Sequence, residues 1–262
     1  MSAPAGAPPE GAGALIELLG VHKSFDGKPV LRGVDLAVRP GETLVVLGAS
    51  GSGKSVTLRH IVGLTRPDRG VVRVLGREIQ DLSEDELVPV RREIGFLFQG
   101  GALFDSMDVA ENVGFPLREA GWDEERIDRR IDEVLGLVGL DRSVRALMPA
   151  SLSGGMRKRV ALARAIAVTP QAILYDEPTT GLDPVTANTI NDLILSMQRQ
   201  LGVTSVVVTH DIVSAFKVGN RIAFLHEGVI RFLGTVEEAR RCDDPVFSGF
   251  IRGGVLEADH GS

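Results

Sequence analysis

The stretch GASGSGKS at residues 48–55 decides the fold of this chain, and it follows the apolar run TLVVL at residues 43–47. A strand that leads into a glycine-rich turn and then into a helix is the setting in which the pattern G-x-x-x-x-G-K-S forms a phosphate-binding loop. Glycines let successive backbone N–H groups converge on phosphate oxygens, and the positive end of the following helix strengthens the attraction. The stretch therefore predicts a site for a nucleoside triphosphate.

Two side chains of this loop have predicted roles in the chemistry. Lys54 is expected to neutralise the β and γ phosphates, and Ser55 is expected to give its hydroxyl to Mg²⁺, a hard cation that prefers oxygen ligands. The loop residues expected to bind the nucleotide are Gly48, Ser50, Gly51, Ser52, Gly53, Lys54, Ser55 and Val56.

The composition of the 262-residue chain fits an ordinary globular protein, with 44% hydrophobic residues. A net charge of −6 argues against bulk attraction to nucleic acid, so no nucleic-acid partner is expected. No apolar stretch approaches the roughly 20 residues of a transmembrane helix, and any membrane span is expected on another chain. Cys242 is the only cysteine, which excludes an internal disulfide.

The patterns predict one domain at residues 14–252, between flexible tails at residues 1–13 and 253–262. The first tail is rich in Ala, Pro and Gly. Because it has neither a basic start nor a long apolar block, it is not expected to be a signal peptide, and a cytoplasmic protein is expected.

Within this domain the type of pattern changes along the chain. β-type runs at residues 15–47, resumed at residues 71–75, indicate a small antiparallel sheet. A helical pattern at about residues 100–158 predicts an inserted helical subdomain between core segments at residues 14–99 and 159–252. The apolar residues expected on one helix face there are Ile127, Ile131, Val134, Leu135 and Val138.

An alternation of strand and helix follows this insertion. The runs at residues 172–175 and 204–208 look like buried parallel strands, with an amphipathic helix at residues 190–201 between them. Around a phosphate-binding loop, this succession implies a RecA-like α/β core. A hairpin is expected around Glu227 and Gly228, followed by a helix with one apolar side. The residues expected on that side are Val246, Phe247, Phe250 and Ile251.

An acidic pair follows the apolar run at residues 173–175. Asp176 is expected to hold the Mg²⁺ shell, and Glu177 to orient or deprotonate the attacking water. Adjacent side chains on a strand point to opposite faces, so Glu177 can serve the water only if the strand ends before it. Pro178 favours that ending.

The segment LSGGM at residues 152–156 is the most specific feature of the chain. Ser153 is a good N-cap, and Gly154 and Gly155 leave the first N–H groups of the following helix open to a phosphate. Taken alone, the segment also fits a capped core helix. Beside the other motifs it resembles the signature of the ATP-binding-cassette (ABC) family, although Met156 stands where that family most often has glutamine.

The resemblance implies roles for residues elsewhere in the chain. Phe25 matches the aromatic that stacks on adenine, Gln99 the Q-loop, Asp183 the D-loop, and His210 the switch histidine that contacts the γ phosphate. Gln99 is also expected, with Ser55 and Asp176, at Mg²⁺. Phe25 could instead be a core residue, Gln99 a surface residue at a helix start, Asp183 a helix cap, and His210 a strand-end histidine.

The resemblance further implies an ABC ATPase fold and an assembly. In the family, the signature of one subunit closes over the phosphate loop of another, so a homodimer that hydrolyses ATP is expected. Lys54, Glu177 and His210 are the expected catalytic residues.

Among ABC ATPases, residues 96–107 and 112–119 are similar to the lipid-transport branch, the ATPases of MCE (mammalian cell entry) systems, including the Mla type. Residues 147–149 and 153–159 continue this similarity. It implies a membrane permease partner, indirectly a periplasmic MCE-domain protein, and a place at the cytoplasmic face of the inner membrane. The cargo, the direction of transport and a small regulatory subunit are left open.

Three other classes compete with this interpretation. A soluble ABC protein of translation or DNA repair is disfavoured, because the chain has neither tandem cassettes nor a long coiled-coil insertion. An ABC importer for another solute, such as an amino acid, remains an alternative. A P-loop kinase has no reason to carry the Ser153 signature.

Overall fold

The computed structural model describes residues 13–259, with side-chain surroundings up to residue 253. The described residues divide into two compact units. The first unit comes from the described parts of residues 1–90 and 204–262, and the second unit is residues 91–203. The predicted first tail lies almost wholly outside the described residues, as do residues 260–262 of the second tail.

The first unit contains strands and helices from both ends of the chain. Its strands are β1 (Ile16–Phe25), β2 (Lys28–Val38), β3 (Thr43–Leu47), β4 (Arg69–Val74), β5 (Arg77–Glu78), β8 (Thr204–Thr209), β9 (Arg221–His226) and β10 (Val229–Thr235). Its helices are α1 (Lys54–Ile61), α2 (Glu84–Arg92), α7 (Ile212–Val218), α8 (Val236–Arg240) and α9 (Pro245–Asp259).

The second unit carries the middle of the chain. Its elements are β6 (Ile94–Leu97), α3 (Val109–Glu119), α4 (Glu124–Leu137), α5 (Gly154–Ile166), β7 (Ala172–Asp176) and α6 (Pro184–Leu201). Short 3₁₀ turns lie at Arg142–Val144 and Pro149–Ser151.

The predicted antiparallel sheet is present in the first unit, with the strand order β2-β1-β4-β5. One expectation about it is wrong, because β3 does not belong to this sheet. Strand β3 pairs in parallel with β8 on one side and with β9 on the other. All five residues of β3 are buried, as expected of a central parallel strand, whereas buried and exposed residues alternate along much of β2.

The predicted hairpin is confirmed, because β9 and β10 pair antiparallel. Its turn residues, Glu227 and Gly228, have φ values of 48° and 78°. Two successive positive φ values are typical of the tight turn whose twist suits a β-hairpin.

The helix predicted after this hairpin is α9, and it is longer than expected. It continues to Asp259, so residues 253–259 are helical where a flexible tail was predicted. Phe247 is fully buried, with its ring centroid 4.7 Å from that of Phe224 and 4.9 Å from that of Phe232. This aromatic cluster fixes the start of α9 against the hairpin.

The helices of the second unit share one core. The helical face predicted on α4 is confirmed, since the residues named for it are buried. Helix α5 packs against α3, α4 and β6. A Cβ atom at Gly95 of β6 would lie 2.6 Å from the carbonyl oxygen of Ala165 on α5, so only glycine permits this contact. The compact unit, residues 91–203, is larger than the predicted insertion at residues 100–158. The reason is that α5 also packs against β6 and α6, which flank the insertion in sequence.

Across residues 13–259, no helix combines the length and the apolar character needed to cross a lipid bilayer.

We expect Phe247→Ala to destabilise the first unit by about 3–5 kcal/mol, since it removes a fully buried ring from between two others. Urea denaturation followed by circular dichroism measures this loss. Val213→Ala is the control, because Val213 is exposed and its truncation is expected to change stability by at most about 0.5 kcal/mol. Equal denaturation midpoints for the two variants would contradict this account of the cluster.

Candidate functional site

The phosphate-loop motif has the predicted form of a strand, a turn and a helix. A Cβ atom at Gly48 would lie 2.4 Å from the carbonyl oxygen of Leu225. This oxygen belongs to the backbone and cannot move away to make room for a side chain. Gly53 caps α1 with a φ of 105°, a conformation that side chains rarely adopt. These two glycines are therefore required by the fold of the loop itself.

The amino group of Lys54 lies over this loop. The residue is buried, and its Nζ atom donates hydrogen bonds to the carbonyl oxygens of Gly48, at 2.8 Å, and Ala49, at 3.0 Å. The ammonium group is thus held at the beginning of the loop that leads into α1, and an anion is favoured at the start of such a helix. Of the other predicted loop residues, Ser50 and Gly51 are exposed, and Ser52, Ser55 and Val56 are half-buried.

Parallel pairing brings His210 to the same edge of the first unit as this loop. Leu47, the last residue of β3, is paired with Thr209, the last residue of β8. The next residues, Gly48 and His210, therefore leave two neighbouring strands at the same level. His210 is exposed there, as its predicted contact with a phosphate requires.

Phe25 lies at the end of β1 and is 43% exposed, so the alternative of a core residue is wrong. The Nζ atom of Lys23 lies 5.4 Å from the centre of its ring. An exposed ring suits the predicted stacking on adenine, which stays a prediction.

The strand before the acidic pair ends where the sequence predicts, and the roles of the two carboxylates stay predictions. Strand β7 ends at Asp176, and Glu177 has a φ of 47°. This conformation costs about 1–3 kcal/mol in a residue other than glycine, and it takes Glu177 out of the strand alternation. Both carboxylates are buried, and an oxygen of the Glu177 carboxylate accepts a hydrogen bond from the Thr180 hydroxyl at 3.2 Å.

The signature segment begins α5, and the predicted N-cap is confirmed. The Ser153 hydroxyl accepts a hydrogen bond from the N–H of Met156 at 3.2 Å. Gly155 has a further role in packing, which the sequence did not indicate. A Cβ atom there would lie 2.4 Å from the Cγ2 atom of Thr186 on α6. At Gly154 an added Cβ would be 3.3 Å from Leu182.

Asp183 is the N-cap of α6, as one of the two alternatives proposed. Its carboxylate accepts hydrogen bonds from the N–H groups of Val185 and Thr186 and from the Thr186 hydroxyl. These hydrogen bonds hold the pKa of the Asp183 carboxyl below its usual range, and the bond from the Thr186 hydroxyl has the largest effect. A contact between Asp183 and nucleotide stays a prediction.

Lys158 is a site residue that sequence reasoning missed. Its side chain is 5% exposed, and its Nζ atom donates to the carbonyl oxygen of Gln99 and lies 3.4 Å from that of Glu177. Gln99 is exposed in the loop after β6, so the alternative of a surface residue at a helix start is right about the surface and wrong about the helix start. The sequence feature that could have revealed Lys158 is its spacing from Leu162 and Ala165, which puts a lysine on the apolar, buried face of α5.

The residues predicted for Mg²⁺ supply the chemistry that this ion prefers. Ser55, Asp176 and Gln99 carry hydroxyl, carboxylate and amide oxygens. Among the described residues, no three or more His, Cys, Asp or Glu side chains form a metal site by themselves. Proteins usually hold Mg²⁺ through one or two carboxylates together with substrate phosphates and water. A Mg²⁺ site at these residues stays a prediction.

We expect Gly155→Ala to destabilise the second unit by about 1–3 kcal/mol, because the new methyl group meets Thr186 at 2.4 Å. Adding Thr186→Ser removes the methyl group at the clash and keeps the hydroxyl that bonds Asp183. The double variant is therefore expected to regain most of the lost stability in urea denaturation. A double variant no more stable than Gly155→Ala would show that this contact does not require the glycine.

The sequence matches known proteins over most of its length. Residues 31–180 match the family model described as ABC transporter. The probable ribonucleotide transport ATP-binding protein mkl of Mycobacterium tuberculosis is 41% identical over 242 residues, which cover 92% of this chain and 67% of mkl. The chloroplastic protein TRIGALACTOSYLDIACYLGLYCEROL 3 of Arabidopsis thaliana is 39% identical over 258 residues, covering 92% and 74%.

The methionine import ATP-binding protein MetN of Mesorhizobium japonicum is 40% identical over 233 residues, covering 89% of this chain and 64% of MetN. Among solved structures, the ATP-binding cassette MJ0796, a dimer in a post-hydrolysis state bound to ADP and phosphate, gives a TM-score of 0.79. It is 36% identical, over 84% of this chain and 98% of that one. These similarities and the phosphate-loop geometry agree: this chain belongs to the ABC transporter family, as an ATPase with the family's P-loop α/β fold.

Proposed function

We propose that two copies of this chain form the ATPase of a transport complex, and that they drive the movement of phospholipid or another hydrophobic molecule through an MCE-system permease. The complex is placed at the cytoplasmic face of the inner membrane, with a periplasmic MCE-domain protein as an indirect partner. The observation that carries the permease proposal is an exposed apolar surface around the start of α3, in the segment that follows β6.

This surface is built on an ordered loop. The buried side chain of Asn112 accepts a hydrogen bond from the N–H of Phe104 at 2.8 Å and donates to the carbonyl oxygens of Phe104 and Met107 at 3.1 and 2.9 Å. The Phe104 ring lies 5.0 Å from that of Phe115 and 5.5 Å from the Arg164 guanidinium. Phe104 is nevertheless 42% exposed, so packing within the unit does not account for the whole ring.

A second apolar segment meets the start of the same helix. The N–H of Val109, the first residue of α3, donates to the carbonyl oxygen of Leu147 at 3.0 Å. Leu147 and Met148 are 36% and 40% exposed. Large apolar side chains that gather on a surface mark a site for another protein, and a helix of a permease would suit an apolar groove.

The proposed cargo rests on sequence similarity. Residues 96–107 and 112–119 resemble the MCE and Mla branch, and one relative bears the name of a galactosyl diacylglycerol. Other relatives are named for ribonucleotide transport and methionine import. We favour a lipid because the resembling segments include the exposed surface itself, and an importer of another solute, such as an amino acid, is the alternative.

In the proposed dimer, each ATP lies between the phosphate loop of one copy and the helix beginning at Ser153 of the other. Glu177 orients the attacking water, while Lys54, His210 and the N–H groups at the start of α5 balance charge on the transferred phosphoryl group. Ser55, Asp176 and Gln99 would hold Mg²⁺, which when bound supplies positive charge next to the phosphates. Phe25 stacks on adenine.

We expect Glu177→Gln to keep nucleotide binding and to lower kcat by about 100- to 10,000-fold, because the amide can neither take the proton nor carry the charge. Steady-state ATP hydrolysis and nucleotide titration measure the two effects. Turnover close to that of the unmodified protein would remove Glu177 from the proposed role.

We expect Phe104→Asp to reduce co-purification of the permease at least about tenfold, because a carboxylate would be desolvated against an apolar partner. Tagged protein is extracted from membranes in mild detergent, and the amount of co-purified polytopic protein is measured. Val88→Asp is the control, since Val88 is also an exposed apolar residue but lies on α2 in the first unit. An intact complex with Phe104→Asp would sink the proposed contact.

The same preparation tests the cargo. Lipid extraction and mass spectrometry of the complex, together with identification of the captured proteins, are expected to give phospholipid and an MCE-domain protein. A solute-binding protein in place of the MCE-domain protein would favour the importer alternative.

A further inference from the structure

We propose that Lys158 is a positioning residue for ATP hydrolysis, which ties the ends of β6 and β7 together and so holds the backbone of Glu177. The inference rests on the proposed role of Glu177, and it adds a cation of the signature helix to the machinery of that residue. Lys158 acts through the Glu177 backbone and not by contact with the substrate or the reacting atoms.

Strand register places the two carbonyl groups side by side. Leu97 of β6 pairs with Tyr175 of β7, and both strands run in the same direction. Gln99 and Glu177 each follow by two residues, so their backbones emerge at the same level from neighbouring strands. The Nζ atom of Lys158 donates to the carbonyl oxygen of Gln99 and lies 3.4 Å from that of Glu177. One ammonium group thus spans both strand ends.

The position of Glu177 depends on the peptide that Lys158 contacts. Glu177 has a φ of 47°, so the backbone is in the left-handed conformation there. The Glu177 carbonyl oxygen also accepts a hydrogen bond from the Thr180 N–H at 3.3 Å. The Thr180 hydroxyl lies 3.2 Å from its carboxylate. Rotation of this peptide would move the carboxylate away from the geometry that hydrolysis needs, and a displacement of about 1 Å can cost 100-fold in rate.

Helix α5 gives Lys158 a fixed base. The contact between Gly95 and Ala165 leaves no space for α5 to move closer to β6, and Ala165 lies two turns from Lys158 on the same face. Arg164 adds a second tie to the segment after β6, since its guanidinium donates to the carbonyl oxygen of Gly101 at 3.1 Å. These two contacts hold α5, and with it the backbone of Lys158, in place beside β6.

The charge of Lys158 suits this place. Burial lowers the pKa of the ammonium group, and the carboxylates of Asp176 and Glu177 act in the opposite direction. A buried cation is tolerated when oxygen atoms surround it, which explains a lysine on a helix face that is otherwise apolar. The carbonyl oxygens and the two carboxylates provide that surrounding.

Lys158→Met and Lys158→Gln test the inference. The methionine fills the same space without a donor, and we expect kcat for ATP hydrolysis to fall by about 10- to 100-fold. The nucleotide Kd is expected to change less than about threefold, because Lys158 touches no nucleotide. Glutamine can still donate to one carbonyl group, so its kcat should lie between those of the methionine variant and the unmodified protein.

Hydrogen exchange separates positioning from general stability. The Thr180 amide, which donates to the same Glu177 carbonyl group, is expected to exchange faster in Lys158→Gln, while the denaturation midpoint stays close to that of the unmodified protein. Lys217→Met is the matched control, since this lysine lies on α7 in the first unit. A kcat unchanged in the Lys158 variants, or a fall in kcat only in step with stability and Kd, overturns the inference.

The double variant Lys158→Met with Glu177→Gln distinguishes the two proposals. If Lys158 acts through Glu177, its loss lowers kcat no further in the Glu177→Gln background. Full activity of Glu177→Gln alone would overturn the proposed role of Glu177 and this inference with it. A loss in Glu177→Gln beside normal turnover in Lys158→Met would overturn only the inference.

Discussion

The contact between Gly95 and Ala165 is the constraint on which the second unit depends. The backbones of β6 and α5 approach so closely there that a Cβ atom at Gly95 would lie 2.6 Å from the Ala165 carbonyl oxygen. Neither element can move closer to the other without a steric clash. Helix α5, which begins after its N-cap Ser153, is therefore fixed against β6. From this position the side chains of Lys158 and Arg164 reach the loop after β6. Gly95, in a strand far from the signature segment in sequence, thus helps to position the helix that this segment begins.

The sequence predicted those parts of the site whose physical causes are local. The strand, glycines and lysine of the phosphate loop are contiguous, and the ending of β7 could be inferred from Pro178 beside the acidic pair. The helix cap at Ser153 and the hairpin turn at Glu227 and Gly228 belong to the same class. Each depends on neighbours within a few residues, which the sequence displays directly.

Features that depend on distant partners could not be predicted. The carbonyl oxygens next to the Lys158 ammonium group belong to Gln99 and Glu177, which are 59 and 19 positions away in sequence. The residues around Lys158 in the sequence do not indicate these partners. The sequence pattern predicts the wrong sheet for β3, because the β-type runs before and after it look alike until their pairing partners are known. The length of α9 was also missed, because glycines at residues 249, 253 and 254 weaken the local helix signal.

Asn112 has a thermodynamic consequence for any protein that binds beside Phe104. Its amide already fixes the backbone of that loop through hydrogen bonds that the free chain makes by itself. A partner therefore meets a surface that has lost its conformational entropy during folding and need not lose it again on association. Such preorganisation favours an interface that can form and separate repeatedly with little rearrangement, as each cycle of ATP use would demand.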